Sequence, residues 1–503
     1  MPNHRRIFEV IRRAITSQVL PAGARLPSTR RLAVDLSVSR NTILAAFEQL
    51  LDEGYVASQT GSGTYVTYNH SDNLSKNIAT KQIFDNKIIE INEFSNSSNI
   101  PEGCNELSKR GLAACALGTN NYDLQQNIRT RKPANEVQPF TPGADDYAGF
   151  PYALWRRLLN RQWRTPDPIL LDSSHDGGYL PLRKAIADYL RVSRAVNLNF
   201  DQVLITSGTQ QSIDLCARLL TDNADCVWVE NPGYWAARRV LEVNGLQLHP
   251  VNVDKEGLAP STKDYRVTPR LIYTTPSHQY PKGMVMSYGR RRLLLDYAQN
   301  VKAWVIEDDY DSEFRFEGRP ISSLQGMDQN GRVLYLGTFS KVMYPGIRLG
   351  YLVAPPKLVE SFKNGLYELQ RPGQVVIQAA LADFIEEGHF ASHIRRLRQI
   401  YGERRRLLQA ALAPIASVGA KLSTVDSGLH LVVEFASECD DVAIAELAAY
   451  HGLRVFPLSD YGMGEIREKG LIIGYAYAAT ENISKYGNIL AKVIQDALRK
   501  KTD

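Results

Sequence analysis

The chain has 503 residues, 44% apolar and 22% charged, with a formal net charge of +5. That length exceeds what one hydrophobic core usually supports, so two or three domains are expected of an otherwise ordinary soluble globular composition. The charge is too mild to imply a nucleic-acid partner by itself, but it is uneven: residues 1–67 hold eight Arg, no Lys and five acids, while the other 436 residues share only +2.

Residues 4–66 read as a small unit of three helices and a hairpin. Ile7, Val10, Ile11 and Ile15 recur at helical spacing, with Arg5, Arg6, Arg12 and Arg13 mostly on the other side. The PAG at 21–23 ends that helix. Ser28 can cap a second helix whose Leu32, Ala33 and Leu36 face inward, and Ser37-Val38 makes a turn. Ser39 can cap a third helix with Ile43, Phe47, Leu50 and Leu51 as its apolar stripe, stopped by Gly54. Tyr55-Val56-Ala57 and Thr64-Tyr65-Val66 flank SQTGSG as a two-stranded hairpin.

Residues 68–135 hold twelve Asn in 68 residues and no sustained periodicity, so they read as a linker with a helical turn or two around Leu107–Leu117. From about 136 to 503, short apolar runs alternate with longer helical ones. QVLITSG, CVWVENP, RLIYTTP, AWVIEDD, VLYLGTF and LGYLVAP are the expected strands of a mostly parallel α/β sheet, with ligands at the carboxyl ends. The region from about 390 to 503 reads as a smaller α+β unit.

Cys104, Cys115, Cys216, Cys226 and Cys439 form no CxxC, which excludes a disulfide framework and the common zinc patterns and suits a reducing cytoplasm. No metal site is expected. The start, MPNHRRIFEV, lacks an apolar signal core, and the most apolar run, LIIGYAYAA at 471–479, is too short to span a bilayer. A cytoplasmic protein is expected.

Two places carry chemistry. The third helix opens with Ser39, Arg40, Asn41 and Thr42, which bring hydroxyls, an amide and a guanidinium to a helix start with free backbone N–H groups. Such groups hold phosphates and read base edges in a major groove. The segment from Leu26 to Val66 resembles the GntR-type winged helix, and the resemblance places Arg30 of the second helix and Gly61 of the wing against DNA as well.

The second is YLGTFSKVMYPGIRLGY at 335–351, which resembles the active-site stretch of fold-type I aminotransferases. The resemblance implies that Lys341 forms a Schiff base with pyridoxal 5′-phosphate (PLP), with Thr338, Ser340 and Arg348 at the phosphate, where a fork of donors and hydroxyls suits an anion. It implies that Asp308, 33 residues before Lys341, pairs with the pyridine nitrogen and that Tyr310 bonds the ring's O3′. Gly208, Thr209 and Gln210 in ITSGTQQSIDL would offer donors to the phosphate at a helix start, and Tyr234 in ENPGYW would stack on the ring. Aminotransferases usually carry an Asn-Pro pair near O3′; this chain has Tyr280 in HQYPKG at 278–283.

That HQYP is similar to MocR-like regulators, in which a GntR-type winged helix is fused to an aminotransferase-like domain. The resemblance implies boundaries at 1–67, 68–135 and 136–503, and a head-to-tail homodimer binding operator DNA. It also implies sensing instead of catalysis, with no catalytic residues assigned. Aminotransferases and amine-sensing relatives typically clamp the substrate carboxylate with an Arg near the chain end. Here Ile472 falls at that place, no Arg occurs from 468 to 498, and Ala236 stands where the amine-sensing branch can carry another; Arg238 or Arg454 could substitute. The expectation is therefore a PdxR-type regulator of vitamin B6 synthesis with PLP as effector. The alternatives are a MocR-type sensor of an amino acid or amine, or a working aminotransferase.

Overall fold

The computed structural model describes residues 3–17, 19–52, 55–59, 63–67, 110–111, 137–144, 146, 149–164, 168–172, 177–316, 322–371, 373–423, 427–464 and 467–499. They fall into two compact units, Met1–Asn96 and Ser97–Asp503. Gly54, Gly61 and nearly all of 68–135 lie outside the described residues.

The first unit holds α1 (Asn3–Thr16), α2 (Thr29–Asp35), α3 (Arg40–Asp52) and an antiparallel hairpin of β1 (Val56–Gln59) and β2 (Gly63–Val66). Both capping serines act as expected: the Ser28 hydroxyl accepts from Arg31 N–H at 3.3 Å, and Ser39 from Thr42 N–H at 3.2 Å. Ser37 turns the chain between α2 and α3 at φ +52°. Phe8, Ile15, Ala33, Ile43, Phe47, Leu50, Val56 and Val66 form the core.

Three expected inward residues are exposed instead: Val10, Leu36 and Leu51. Phe8, not Val10, joins Ile7, Ile11 and Ile15, which rotates the buried face of α1 away from Val10. Leu36 is the C-cap of α2, past its last turn. Leu51 falls off the Ile43–Phe47–Leu50 line. The first helix also stops at Thr16, before the PAG.

The second unit is built on an eight-stranded sheet of β3 (Val203–Thr206), β4 (Cys226–Asn231), β5 (Gln247–Asp254), β6 (Gly257–Leu258), β7 (Leu271–Thr274), β8 (Trp304–Asp309), β9 (Val333–Thr338) and β10 (Gly350–Val353). Its order is β3-β10-β9-β8-β7-β4-β5-β6. The six expected runs are all strands. The run β9-β8-β7-β4-β5 is parallel, whereas β10 is antiparallel to both neighbours, as is β6 to β5. Only residues 339–349 separate β9 from β10, too short for a crossover helix, so β10 returns antiparallel.

Alternate side chains pack on opposite faces of the sheet. Val227, Val229, Leu271, Tyr273 and Ile306 meet the helices Thr209–Leu220, Trp235–Val243 and Val359–Gln370. Trp228, Ile272 and Val305 meet Leu294, Leu295 and Ala298 of the helix Tyr288–Val301. The chain end adds the antiparallel sheet β11 (Lys421–Leu422), β12 (His430–Glu434), β14 (Gly470–Gly474) and β13 (Phe456–Pro457), in that order, with the helices His389–Leu412 and Thr480–Arg499. Sequence reasoning resolves β14, within KGLIIGYAYAA, but not β5, β6, β11, β12 or β13.

Candidate functional site

In the first unit, Arg30, Ser39, Arg40 and Asn41 are exposed and Thr42 is half-buried, so the start of α3 presents its side chains outward. The Ser39 and Thr42 hydroxyls lie 2.8 Å apart. Ser39 is therefore engaged with its own helix, leaving Arg40 and Asn41 as the outward polar pair. Gly61 lies outside the described residues.

In the second unit, sheet topology alone gathers the other site. Strands β4, β7, β8 and β9 run parallel. β3 shares their direction, because β10 is antiparallel to both β3 and β9. Their carboxyl ends therefore open on one edge. There they deliver Gly208 (after β3), Tyr234 (after β4), Tyr280 (after β7), Asp308 and Tyr310 (on and after β8), and Thr338, Ser340 and Lys341 (on and after β9). Thr206, Gly350 and Thr338 sit side by side in register.

Gly208 caps the helix Thr209–Leu220 at φ +109°, ψ 174°, a conformation close to glycine-only. A Cβ there would lie 3.9 Å from the Arg348 guanidinium, so these two residues face each other. The Gln211 and Ser212 N–H groups already donate to the Gly208 carbonyl, at 3.1 and 3.2 Å, so the N–H groups ahead of them, of Thr209 and Gln210, are the ones at the open helix start. Gln210 is exposed and Thr209 half-buried, while the Gln211 side chain accepts from Ser207 N–H. Thr338 Oγ1 accepts from Ser340 N–H at 3.2 Å. Lys341 Nζ donates to the Gly143 carbonyl at 3.0 Å.

Asp308 is buried, and its Oδ2 accepts from the Tyr273 hydroxyl at 2.6 Å. Burial pushes its carboxyl up to about 7, against the lowering effect of that hydrogen bond. Oδ1 is buried and unpartnered. Tyr310 meets His278 Nδ1 at 2.9 Å, and burial raises its phenol well above the ordinary value. Tyr280 sits edge-on to Tyr234, Tyr310, His430 and Tyr461, with centroids 5.5–5.6 Å away, and burial pushes its phenol up to about 12. Sequence reasoning missed Gly143, Tyr273, His278 and Asp311.

The expected clamp position is apolar. Ile472 on β14 is fully buried, clustered with Val432, Phe456, Leu458 and Tyr461, and Tyr280 packs on that cluster. Arg238 is buried and donates to the Tyr461 carbonyl at 3.0 Å. Arg454 lies over the Phe456 ring, 5.9 Å from its centroid. Ala236 is buried.

Comparison with known proteins decides the family. Residues 3–66 match "Bacterial regulatory proteins, gntR family", and residues 172–482 match "Aminotransferase class I and II". The "Probable rhizopine catabolism regulatory protein MocR" of Rhizobium meliloti is 36% identical over 95% of this chain and 90% of its own length. The chain belongs to the MocR-like family. It is a GntR/MocR-type transcriptional regulator with an aminotransferase-like domain.

Another MocR-like relative, the "HTH-type pyridoxine biosynthesis transcriptional regulator PdxR" of Corynebacterium glutamicum, is 31% identical over 93% of this chain and 91% of its own length. The kynurenine aminotransferase of Pyrococcus horikoshii shares the fold of the large unit at TM-score 0.68 and 24% identity, covering 79% of this chain and 97% of that one. The cofactor of such a MocR-like domain is PLP. The residues present fit it. The unpartnered Oδ1 of Asp308 is a ready acceptor for a pyridinium N–H, and Gly208 at a helix start faces the Arg348 guanidinium, the donors an anion takes. No helix among the described residues is long and apolar enough to cross a membrane.

Proposed function

We propose that this MocR-like protein is a cytoplasmic, homodimeric repressor or activator of vitamin B6 synthesis genes, with PLP as its effector and no working transamination. Residues 1–67 bind the operator, 68–135 link, and 136–503 sense. At the DNA, Arg40 and Asn41 reach bases, with Arg30, Ser39, Thr42 and Gly61 at the backbone and wing. Bound PLP supplies an electron-withdrawing ring and an aldehyde that condenses with an amine. Lys341 anchors it, Asp308 holds the pyridine nitrogen protonated, Tyr310 donates to the phenolic oxygen, Tyr234 covers the ring, and Tyr280 stands beside the phenolic oxygen. Gly208, Thr209, Gln210, Thr338, Ser340 and Arg348 hold the phosphate.

The observation that carries this reading is Ile472. A substrate carboxylate needs a fork of donors, and at the clamp position it would meet an apolar cluster. Arg238, one possible substitute, is already bound to the Tyr461 carbonyl. The name of the Corynebacterium glutamicum relative, a pyridoxine biosynthesis regulator, supports the same effector. The name of the Rhizobium meliloti relative, tied to rhizopine catabolism, favours the amine-sensing alternative.

The test is operator binding by the full chain, titrated first with PLP and then with amines over the PLP-bound protein. PLP alone should change DNA affinity, because an effector must bind two conformational states unequally. If only PLP with γ-aminobutyrate, taurine or an α-amino acid does so, the amine-sensing reading replaces this one. The isolated segment 1–67 should bind far more weakly than the dimer, which gains effective concentration from two half-sites. Equal affinity would remove the dimer from the account.

A further inference from the structure

His278 is the first residue of the HQYP segment, and nothing in the proposed role of Tyr280 uses it. It is 3% exposed, and its Nδ1 faces two oxygens: Asp311 Oδ2 at 3.0 Å and the Tyr310 hydroxyl at 2.9 Å. Its ring is hemmed in. A Cβ at Gly428 would fall 2.0 Å from His278 Cε1, and the His430 ring lies 5.4 Å away, itself donating to the Pro281 carbonyl. The imidazole therefore has one orientation.

With its hydrogen on Nδ1, His278 donates to the Asp311 oxygen at 3.0 Å, the pairing in which the acidic side chain accepts. An Nδ1–H cannot accept from Tyr310. The phenol oxygen can only share that N–H, and its own hydrogen must point elsewhere. We propose that His278, fixed by Asp311, is a positioning residue that turns the Tyr310 hydroxyl outward as a donor to the phenolic oxygen of bound PLP. Asp311–His278–Tyr310 is thus a chain of hydrogen-bond direction with no net proton transfer. It takes over the orienting work that an Asn beside that oxygen would otherwise share, at the position where this chain has Tyr280.

This inference rests on the placement of Tyr310 at the phenolic oxygen, and the experiment separates the two. The readout is the pH midpoint of the visible absorbance change of the PLP-bound full chain. A donor to the phenolic oxygen favours the deprotonated cofactor, so losing it moves the midpoint upward, by about one unit for Tyr310→Phe. His278→Phe and Asp311→Leu, which removes the acceptor, should each move it in the same direction. His278→Asn, whose side-chain N–H can replace Nδ1–H, should restore it. In a Tyr310→Phe background, His278→Phe should add nothing.

If Tyr310→Phe leaves the midpoint in place, the placement of Tyr310 fails and this inference with it. If Tyr310→Phe shifts it but His278→Phe and Asp311→Leu do not, the placement stands and the positioning role is overturned. Additive shifts in the double variant overturn it equally. Should His278→Phe fail to hold PLP, Asp311→Leu, close in shape but without an acceptor, reads the same contact.

Discussion

The Tyr273 hydroxyl donates to Oδ2 of Asp308 at 2.6 Å, while Oδ1 of the same carboxylate is buried without a partner. One oxygen is anchored to the sheet and the other is left for a ligand. Tyr273→Phe should weaken PLP binding by about 1–3 kcal/mol, the usual consequence of unpairing a buried polar group. Equilibrium titration of PLP checks this, and an unchanged Kd would show that Tyr273 does not support the carboxylate.

Burial also raises Glu307 and Glu313 to about 7, alongside Asp308. In the unfolded chain such carboxyls ionise near 4, so between about 4 and 7 the folded state holds more protons. Stability of the PLP-free domain should therefore fall as pH rises through that window. Thermal unfolding across it provides the check. Asp308→Asn should lessen the fall, and saturating PLP should too, by pairing the ionised Asp308. A Tm that rises across the window would contradict the burial argument.

Borohydride reduction of the PLP-bound protein should leave the cofactor on the peptide containing Lys341. Lys341→Ala should lose that covalent label, and with it the hydrogen bond from Nζ to the Gly143 carbonyl, while the fold persists. Mass spectrometry of the digest decides, and a label on any other peptide overturns the assignment.

Gly208→Ala forces a side chain into φ +109° and toward the Arg348 guanidinium. It should cost roughly 1–3 kcal/mol of stability. PLP affinity should fall more than affinity for pyridoxal, which lacks the phosphate. Equal losses for the two would separate Gly208 from phosphate binding.

At the first helix pair, Ser39→Ala removes a cap and should lower stability of the winged helix by about 1 kcal/mol. Arg40→Ala should cost roughly 1–3 kcal/mol of operator affinity and relax specificity at one base position. Binding isotherms on operator and scrambled DNA distinguish these outcomes. Unchanged operator affinity in the Arg40 variant would remove α3 as the reading helix.

The legible parts of the molecule share a physical reason. Strands buried on both faces read as unbroken apolar runs, so VLIT, LIIGY-like and VLYL stretches announce themselves. β5, QLHPVNVD, has one wetter face and an internal Pro, and its pattern does not stand out. In the site, each residue that ends a strand was visible through its motif. Tyr273 was not: it sits inside β7 and looks like a core aromatic until the fold brings it to Asp308, 35 residues away. Gly143 contributes a backbone carbonyl, which no side-chain pattern encodes. His278 lay within a motif already singled out, but its meeting with Asp311 is a matter of chain folding.

The apolar seat of Ile472 bears on how this lineage could change. Val432, Phe456, Leu458 and Tyr461 surround it, and none offers a counter-charge. An arginine arriving there by one substitution would be an uncompensated buried cation, costing several kcal/mol. A carboxylate clamp at this position is thus out of reach of a single substitution. Neighbouring side chains would have to yield first, so the apolar seat works as a ratchet.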